Sequence, residues 1–126
     1  MKLRIKGNSI RLRLTQTEVA AIGRGSAISE TLSFGAQSPA FHYVLIADER
    51  VDSITARFID HALQVLLPFA HAKLWADADQ VSIEKDIDLG EKGSLHVLIE
   101  KDFQCLHQRP REDERDNFPN PKANQA

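Results

Sequence analysis

Five basic side chains lie within the first fifteen residues and are the clearest chemical signal in the sequence. No Asp or Glu occurs in this stretch. Lys and Arg carry the positive charge and the hydrogen-bond donors that bind phosphate groups. We therefore predict a site for duplex DNA, and the alternative is a solvated outer strand face without a ligand. The predicted DNA-binding residues are Lys2, Arg4, Lys6, Arg11 and Arg13.

Metal ligation has a weaker signal. The nearest pair of potential ligands is Cys105 and His107, while four further histidines are scattered along the chain. Zinc sites usually take ligand pairs from at least two segments. The carboxylates between Asp77 and Glu91 lack the spacing of a calcium loop, so we interpret them as solvated loop residues. We expect no metal and no other cofactor.

Motifs of the common enzyme classes are missing from the sequence as well. It has no phosphate-binding glycine loop, no hydrolase nucleophile elbow and no paired catalytic carboxylates. Cys105 is the sole cysteine, and the spacing nominates no base that would activate it. We therefore expect a protein that is not an enzyme and has no catalytic residues.

The composition is that of one globular domain. The chain has 126 residues, of which 42% are hydrophobic and 27% are charged. No apolar stretch approaches the roughly 20 residues that cross a bilayer, and the charged start is unlike a signal peptide. We expect a cytoplasmic protein without a membrane partner. The net charge is −2, with an excess of basic residues before residue 50 and of acidic residues after it.

The alternation of apolar and basic residues at the start predicts two strands. A Gly-Asn pair at 7–8 would form the turn between them. Thr15 and Glu18 then fit a capping box, which indicates the start of a short helix. Two further strands are expected over 27–34 and 41–47.

The same order of elements recurs in the second half of the sequence, which predicts an internal duplication. One constant offset in residue number, without a gap, aligns the apolar positions of 1–49 with those of 53–102. The fold class is therefore mostly β with two short helices. We predict one domain over 1–102, a compact antiparallel barrel with pseudo-twofold symmetry, because the apolar strand faces must be buried against each other. The runner-up is a pair of packed sheets with the helices at their open ends. The predicted shared core contains Ile10, Leu12, Leu14, Val44, Ile46, Leu63, Val65, Leu67, Val97 and Ile99.

The segment from Lys6 to Leu14 is distinctive, because Gly-Asn-Ser is followed by an alternating strand and then by a capped helix. This pattern resembles the swapped-hairpin transcription factors of the AbrB/MazE type, which include transition-state regulators and antitoxins. The resemblance implies interleaved hairpins, here supplied by one chain, and it implies that Arg4, Lys6 and Arg13 face DNA. The second copy has no basic residue at the positions of Lys6 and Arg13. The chain also resembles small uncharacterised bacterial proteins of unknown function.

The last segment, 103–126, is a charged tail that contains prolines, a composition that opposes regular helix or strand. We expect this tail to lie over the domain as an arm or to stay mobile, and the alternative is that it binds a protein partner, by analogy with antitoxin tails. A homodimer is also expected, because one chain carries only one basic hairpin.

These observations favour a DNA-binding or antitoxin-like regulatory protein. The alternative is a non-enzymatic protein-interaction barrel that has lost DNA binding. The basic first hairpin favours the former, and the acidic second half of the chain favours the latter.

Overall fold

The computed structural model describes residues 1–104 and 112–124. The strands and helices of this part follow each other in the order strand, strand, helix, strand, strand, and then repeat it. They are β1 (Lys2–Lys6), β2 (Ser9–Leu14), α1 (Gln16–Gly23), β3 (Ile28–Leu32), β4 (Phe41–Asp48), β5 (Thr55–Ile59), β6 (Ala62–Pro68), α2 (Phe69–Asp77), β7 (Ser82–Asp88) and β8 (Ser94–Lys101). Short 3-10 helices occupy Gly90–Lys92 and Pro121–Asn124. The prediction of a mostly β fold with two short helices is confirmed.

The strands form two four-stranded sheets. Sheet A has the order β1-β2-β8-β7 and sheet B has the order β3-β4-β6-β5. Each sheet therefore joins the hairpin of one repeat to the strand pair of the other. The hairpins are antiparallel, but the pairs β2 with β8 and β4 with β6 that join the repeats are parallel.

The expected closed, antiparallel barrel is wrong, and the two packed sheets of the runner-up are correct. A barrel needs every strand to pair on both sides, whereas β1, β7, β3 and β5 end their sheets. Closure is not needed to bury the apolar faces, because the two sheets cover each other and the helices join the same core. Val19 and Ile22 of α1 and Trp75 of α2 are buried in that core.

In each repeat a two-residue turn closes the first hairpin. Gly7 has a φ of +54°, which suits a turn with glycine at its first central position. In the second repeat Asp60 and His61 take φ values of 52° and 62°, a conformation that Asp and His tolerate better than most residues. The Asn8 side chain donates a 2.7 Å hydrogen bond to the Ser94 carbonyl, so the first turn is tied to β8.

The first helix begins as the sequence predicts, and the two helices contact each other. Thr15 forms the predicted capping box with Glu18 at the start of α1, and α2 begins directly after Pro68. The two helices contact each other where Gly23 faces Ala76, at corresponding positions of the two repeats. A Cβ atom on Gly23 would lie 2.6 Å from the Ala76 Cβ, so the close approach depends on this glycine.

The expectation that one constant offset aligns both repeats without a gap holds for the hairpins but fails for the later strands. Ile28 pairs with Leu45 in the first repeat, and Ile83 pairs with Ile99 in the second. The offset that aligns the hairpins would instead have aligned Ile28 with Val81 and Leu45 with Leu98.

This difference in register changes the predicted core. Adjacent strand residues point to opposite faces, so a slip of one position exchanges the buried set. Val44 and Ile46 are consequently only partly buried, and Leu45 occupies the core in their place. The other eight predicted core residues are buried.

The described part of the tail packs against the domain. The Phe118 amide donates to the Asp102 carbonyl at 2.8 Å, and the Phe118 carbonyl accepts from the Gln104 amide at 2.7 Å. The Phe118 ring lies 5.8 Å from the Phe103 ring, measured between centroids. Asn117 is 2% exposed. Residues 112–124 are therefore an arm laid over the domain.

Candidate nucleic-acid interface

The five predicted DNA-binding residues share one face of sheet A. Lys2 lies opposite Arg13, and Arg4 lies opposite Arg11, while Lys6 follows two positions further along β1. Directly opposed residues of an antiparallel pair point to the same side of the sheet. The alternate positions carry the apolar residues of the hairpin, which point to the other sheet. We call the outward set, Lys2, Arg4, Lys6, Arg11 and Arg13, the basic face.

Three of these five cations are paired with acids of the same molecule. The Arg11 Nε and the Arg13 Nε each donate to Glu100 Oε1 at 2.6 Å. The Lys2 Nζ lies 3.0 Å from Asp102 Oδ2 and 3.6 Å from a Glu112 carboxylate oxygen. A phosphate would have to compete with these carboxylates for the three cations.

Arg4 and Lys6 are different. Both side chains are exposed, and within residues 1–104 and 112–124 neither forms an ion pair or a side-chain hydrogen bond. Together with Arg11 they line a shallow depression of about 330 Å³ that also reaches His96. Arg4 and Lys6 are therefore the members of the basic face with charge available to a ligand.

The other half of the same face is acidic. Glu84, Asp86 and Asp88 alternate along β7, the opposite edge of sheet A. His96 on β8 contacts two of them, with Nδ1 2.6 Å from Asp86 Oδ1 and Nε2 3.3 Å from Glu84 Oε2. These three acids are exposed to solvent as we expected, but they lie on a strand, so their interpretation as loop residues is wrong. An anionic ligand is restricted to the β1 and β2 half of the face.

A buried lysine lies behind this face, at the end of β8. The Lys101 Nζ donates to the Ala78 carbonyl at 2.7 Å and lies over the rings of Trp75 and Phe118. Burial lowers the pKa of Lys101, and the nearby Asp79 opposes that shift. Lys101 holds the tail against α2 and is not part of the basic face.

In residues 1–104 and 112–124 no group of three His, Cys, Asp or Glu side chains is arranged to hold a metal ion. Cys105 and His107, the pair considered from the sequence, lie outside these described residues. The described helices include none with the length and apolarity to cross a membrane.

One comparison with known proteins places the chain in a family. The model of a family of unknown function (DUF7009) matches residues 1–122. The chain belongs to this family. No curated protein and no solved structure matches the chain. The DUF7009 match includes both repeats and residues 112–122 of the described tail, so most of the arm over the domain lies within the matched segment.

The basic face of this DUF7009 protein has no counterpart on sheet B. The offset that aligns the two hairpins carries the five basic positions to Thr55, Arg57, Ile59, Gln64 and Leu66. Arg57 is the one cation among them, and its Nε donates to Gln64 Oε1 at 2.6 Å. The duplicated fold therefore presents one basic face.

Proposed function

We propose that this protein is a DNA-binding, antitoxin-like regulatory protein whose basic face contacts the phosphate backbone of duplex DNA. The observation that carries the proposal is the convergence of five cations on one outer face, with Arg4 and Lys6 free of acidic partners among the described residues. Phosphate contacts of this kind give affinity without sequence preference.

The arrangement of the hairpins supports the same proposal. In the AbrB/MazE type, which the first hairpin resembles, hairpins interleave and the basic strand faces DNA. Here β1 and β2 of the first repeat join β7 and β8 of the second within one chain. The acidic half of the face opposes a wide footprint, so we expect two chains to bind one duplex through their first hairpins.

The test is a fluorescence-anisotropy titration with duplex DNA at low ionic strength. We expect weak binding for which log affinity falls against log salt with a slope of about −2 to −4.5, as for two to five phosphate contacts. A variant with Arg4, Lys6 and Arg13 changed to alanine should lose most of this binding. The matched control changes three exposed cations elsewhere, Arg24, Lys73 and Lys92, and should retain it. Equal affinity of both variants would contradict the proposal.

A second candidate is a protein-interaction module without DNA binding. It is favoured by the internal pairing of Lys2, Arg11 and Arg13 with acids, which lowers the charge available to phosphates. Binding of a protein partner through the tail is a further prediction of this second candidate. The absence of any DNA signal from the wild-type protein would favour this candidate.

A further inference from the structure

An apolar groove opens between the two sheets at the hairpin turns. Its volume is about 220 Å³. β2 begins at this groove with Ser9 and ends at Leu14, just before α1. The groove therefore lies at the end of the molecule away from the helices. Its apolar lining consists of Ile5, Ile10, Phe41, Phe58, Leu63 and Leu95.

The lining residues come in equivalent pairs from the two repeats. Ile5 corresponds to Phe58, and Ile10 corresponds to Leu63, at matching positions of the two first hairpins. The third pair is formed by the residues near the starts of β4 and β8, Phe41 and Leu95. Each repeat thus contributes three apolar residues to the groove, and the rest of the lining, Gly7, Asn8 and Ser9, comes from the first repeat.

Two large apolar side chains at the groove are exposed to solvent. Ile5 is 59% exposed and Phe58 is 63% exposed, each on the edge strand of its sheet. The Phe58 ring stacks on Phe41 with 6.2 Å between centroids, so it is held in place on one side and open on the other. Exposed apolar residues that cluster in this way mark binding surfaces more often than isolated ones do.

Three cations lie beside this apolar groove, on the outer faces of the two edge strands that border it. Arg4 and Lys6 flank Ile5 along β1, and Arg57 precedes Phe58 on β5. The depression that contains Arg4 and Lys6 shares Ser9 and Ile10 with the groove. The apolar and the cationic surfaces are therefore continuous.

We propose that the groove binds an acidic peptide segment of another protein, with one bulky apolar side chain inserted between Ile5 and Phe58. The groove is smaller than the roughly 300 Å³ at which small-molecule sites begin, so it suits an anchoring side chain. Charge complementarity favours acidic residues on either side of the inserted side chain of the peptide, because Arg4, Lys6 and Arg57 attract carboxylates and repel basic peptides. This activity goes beyond DNA binding and does not depend on it.

The experiment uses the full chain and a fluorescein-labelled peptide with a central phenylalanine flanked by two glutamates on each side. We expect saturable anisotropy that weakens at high ionic strength. Phe58→Ala should weaken binding about tenfold, as truncation of an interface hot spot does. Ile5→Ala should act in the same direction. Leu74→Ala is the control, because Leu74 is 70% exposed on α2, at the other end of the molecule.

Several results would overturn the proposal. Among these are unchanged affinity in both groove variants, or equal affinity for a peptide with lysines in place of the glutamates. Sedimentation equilibrium addresses a second copy as the occupant: self-association that Phe58→Ala abolishes, without peptide binding, would assign the groove to a homodimer instead. Phe58→Ala should leave DNA affinity unchanged, so failure here is distinguishable from failure of the DNA proposal.

Discussion

Glu100 controls how much of the basic face is available to a ligand. This carboxylate is 9% exposed and accepts from two arginines of β2. It holds Arg11 and Arg13 in fixed positions, but it also neutralises part of their charge. The basic face is consequently weaker as a phosphate site than its five cations suggest.

We expect Glu100→Gln to raise the affinity for duplex DNA. Release of the two arginines should add about one phosphate contact, worth roughly 1.4 kcal/mol or a factor of ten. The slope of log affinity against log salt should also become steeper. Anisotropy titrations check both effects, with Glu84→Gln as the control that removes the same charge from the acidic half. Equal gains in the two variants would mean that only net charge matters.

At alkaline pH, Lys101 should make the free energy of unfolding depend on pH. Burial lowers its pKa in the folded state, whereas the unfolded value is about 10.4. Between these two values the unfolded chain binds more protons, so this residue makes the free energy of unfolding rise with pH. We expect the wild type to gain stability relative to Lys101→Met as the pH rises through that window.

Urea denaturation of both proteins across the alkaline range measures this difference. Burial raises the pKa of Tyr43 and acts with the opposite sign, but it is present in both proteins and cancels. A difference that stays constant, or that falls with rising pH, would contradict the role assigned to Lys101.

At the scale of elements, α1 and α2 approach each other closely at Gly23. Gly23→Ala would normally stabilise a helix by about 1 kcal/mol. Here the new Cβ would lie 2.6 Å from the Ala76 Cβ, and overpacking of this kind typically costs about 1 to 3 kcal/mol. We expect the clash to exceed the propensity gain, so the thermal midpoint should fall. Adding Ala76→Gly should restore it, and a stabilised single variant would refute the close contact.

The tail is the second element whose contribution can be measured. Phe118 is partly buried, packs on Phe103, and forms two backbone hydrogen bonds with Asp102 and Gln104, which follow β8. We expect Phe118→Ala to lower the free energy of unfolding by about 1 to 3 kcal/mol, less than for a fully buried ring. Denaturant titration checks this value. An unchanged midpoint would show that the arm adds nothing to stability, and Lys122→Ala serves as the exposed control.

For the whole molecule, the exchange of hairpins makes the two repeats depend on each other. Each sheet contains strands of both repeats, and Leu12 and Val65 are buried in one core. We expect a single unfolding transition, and Leu12→Ala and Val65→Ala should each lower its midpoint by an amount that corresponds to about 1 to 4 kcal/mol. Circular dichroism and tryptophan fluorescence should coincide, since Trp75 lies in the same core. Two separate transitions would contradict this dependence.

The sequence by itself determined the features that depend on local periodicity. Alternation along 2–14 defined both strands of the first hairpin and placed the five cations on one side, because neighbouring strand residues point to opposite faces. The Thr15 and Glu18 capping box defined the start of α1 for a similarly local reason. The recurrence of the same apolar pattern in the second half indicated the repeated order of elements.

Only the tertiary structure decided which segments meet. Glu100 and Asp102 neutralise cations at the distant start of the chain, and no local pattern specifies such pairs. Tertiary packing settled which face of β4 points inward. The strand is apolar on both faces, so either of two registers that differ by one position would bury apolar side chains. The sequence could not decide between two packed sheets and a barrel. Burial of apolar area is not directional, so both arrangements satisfy it.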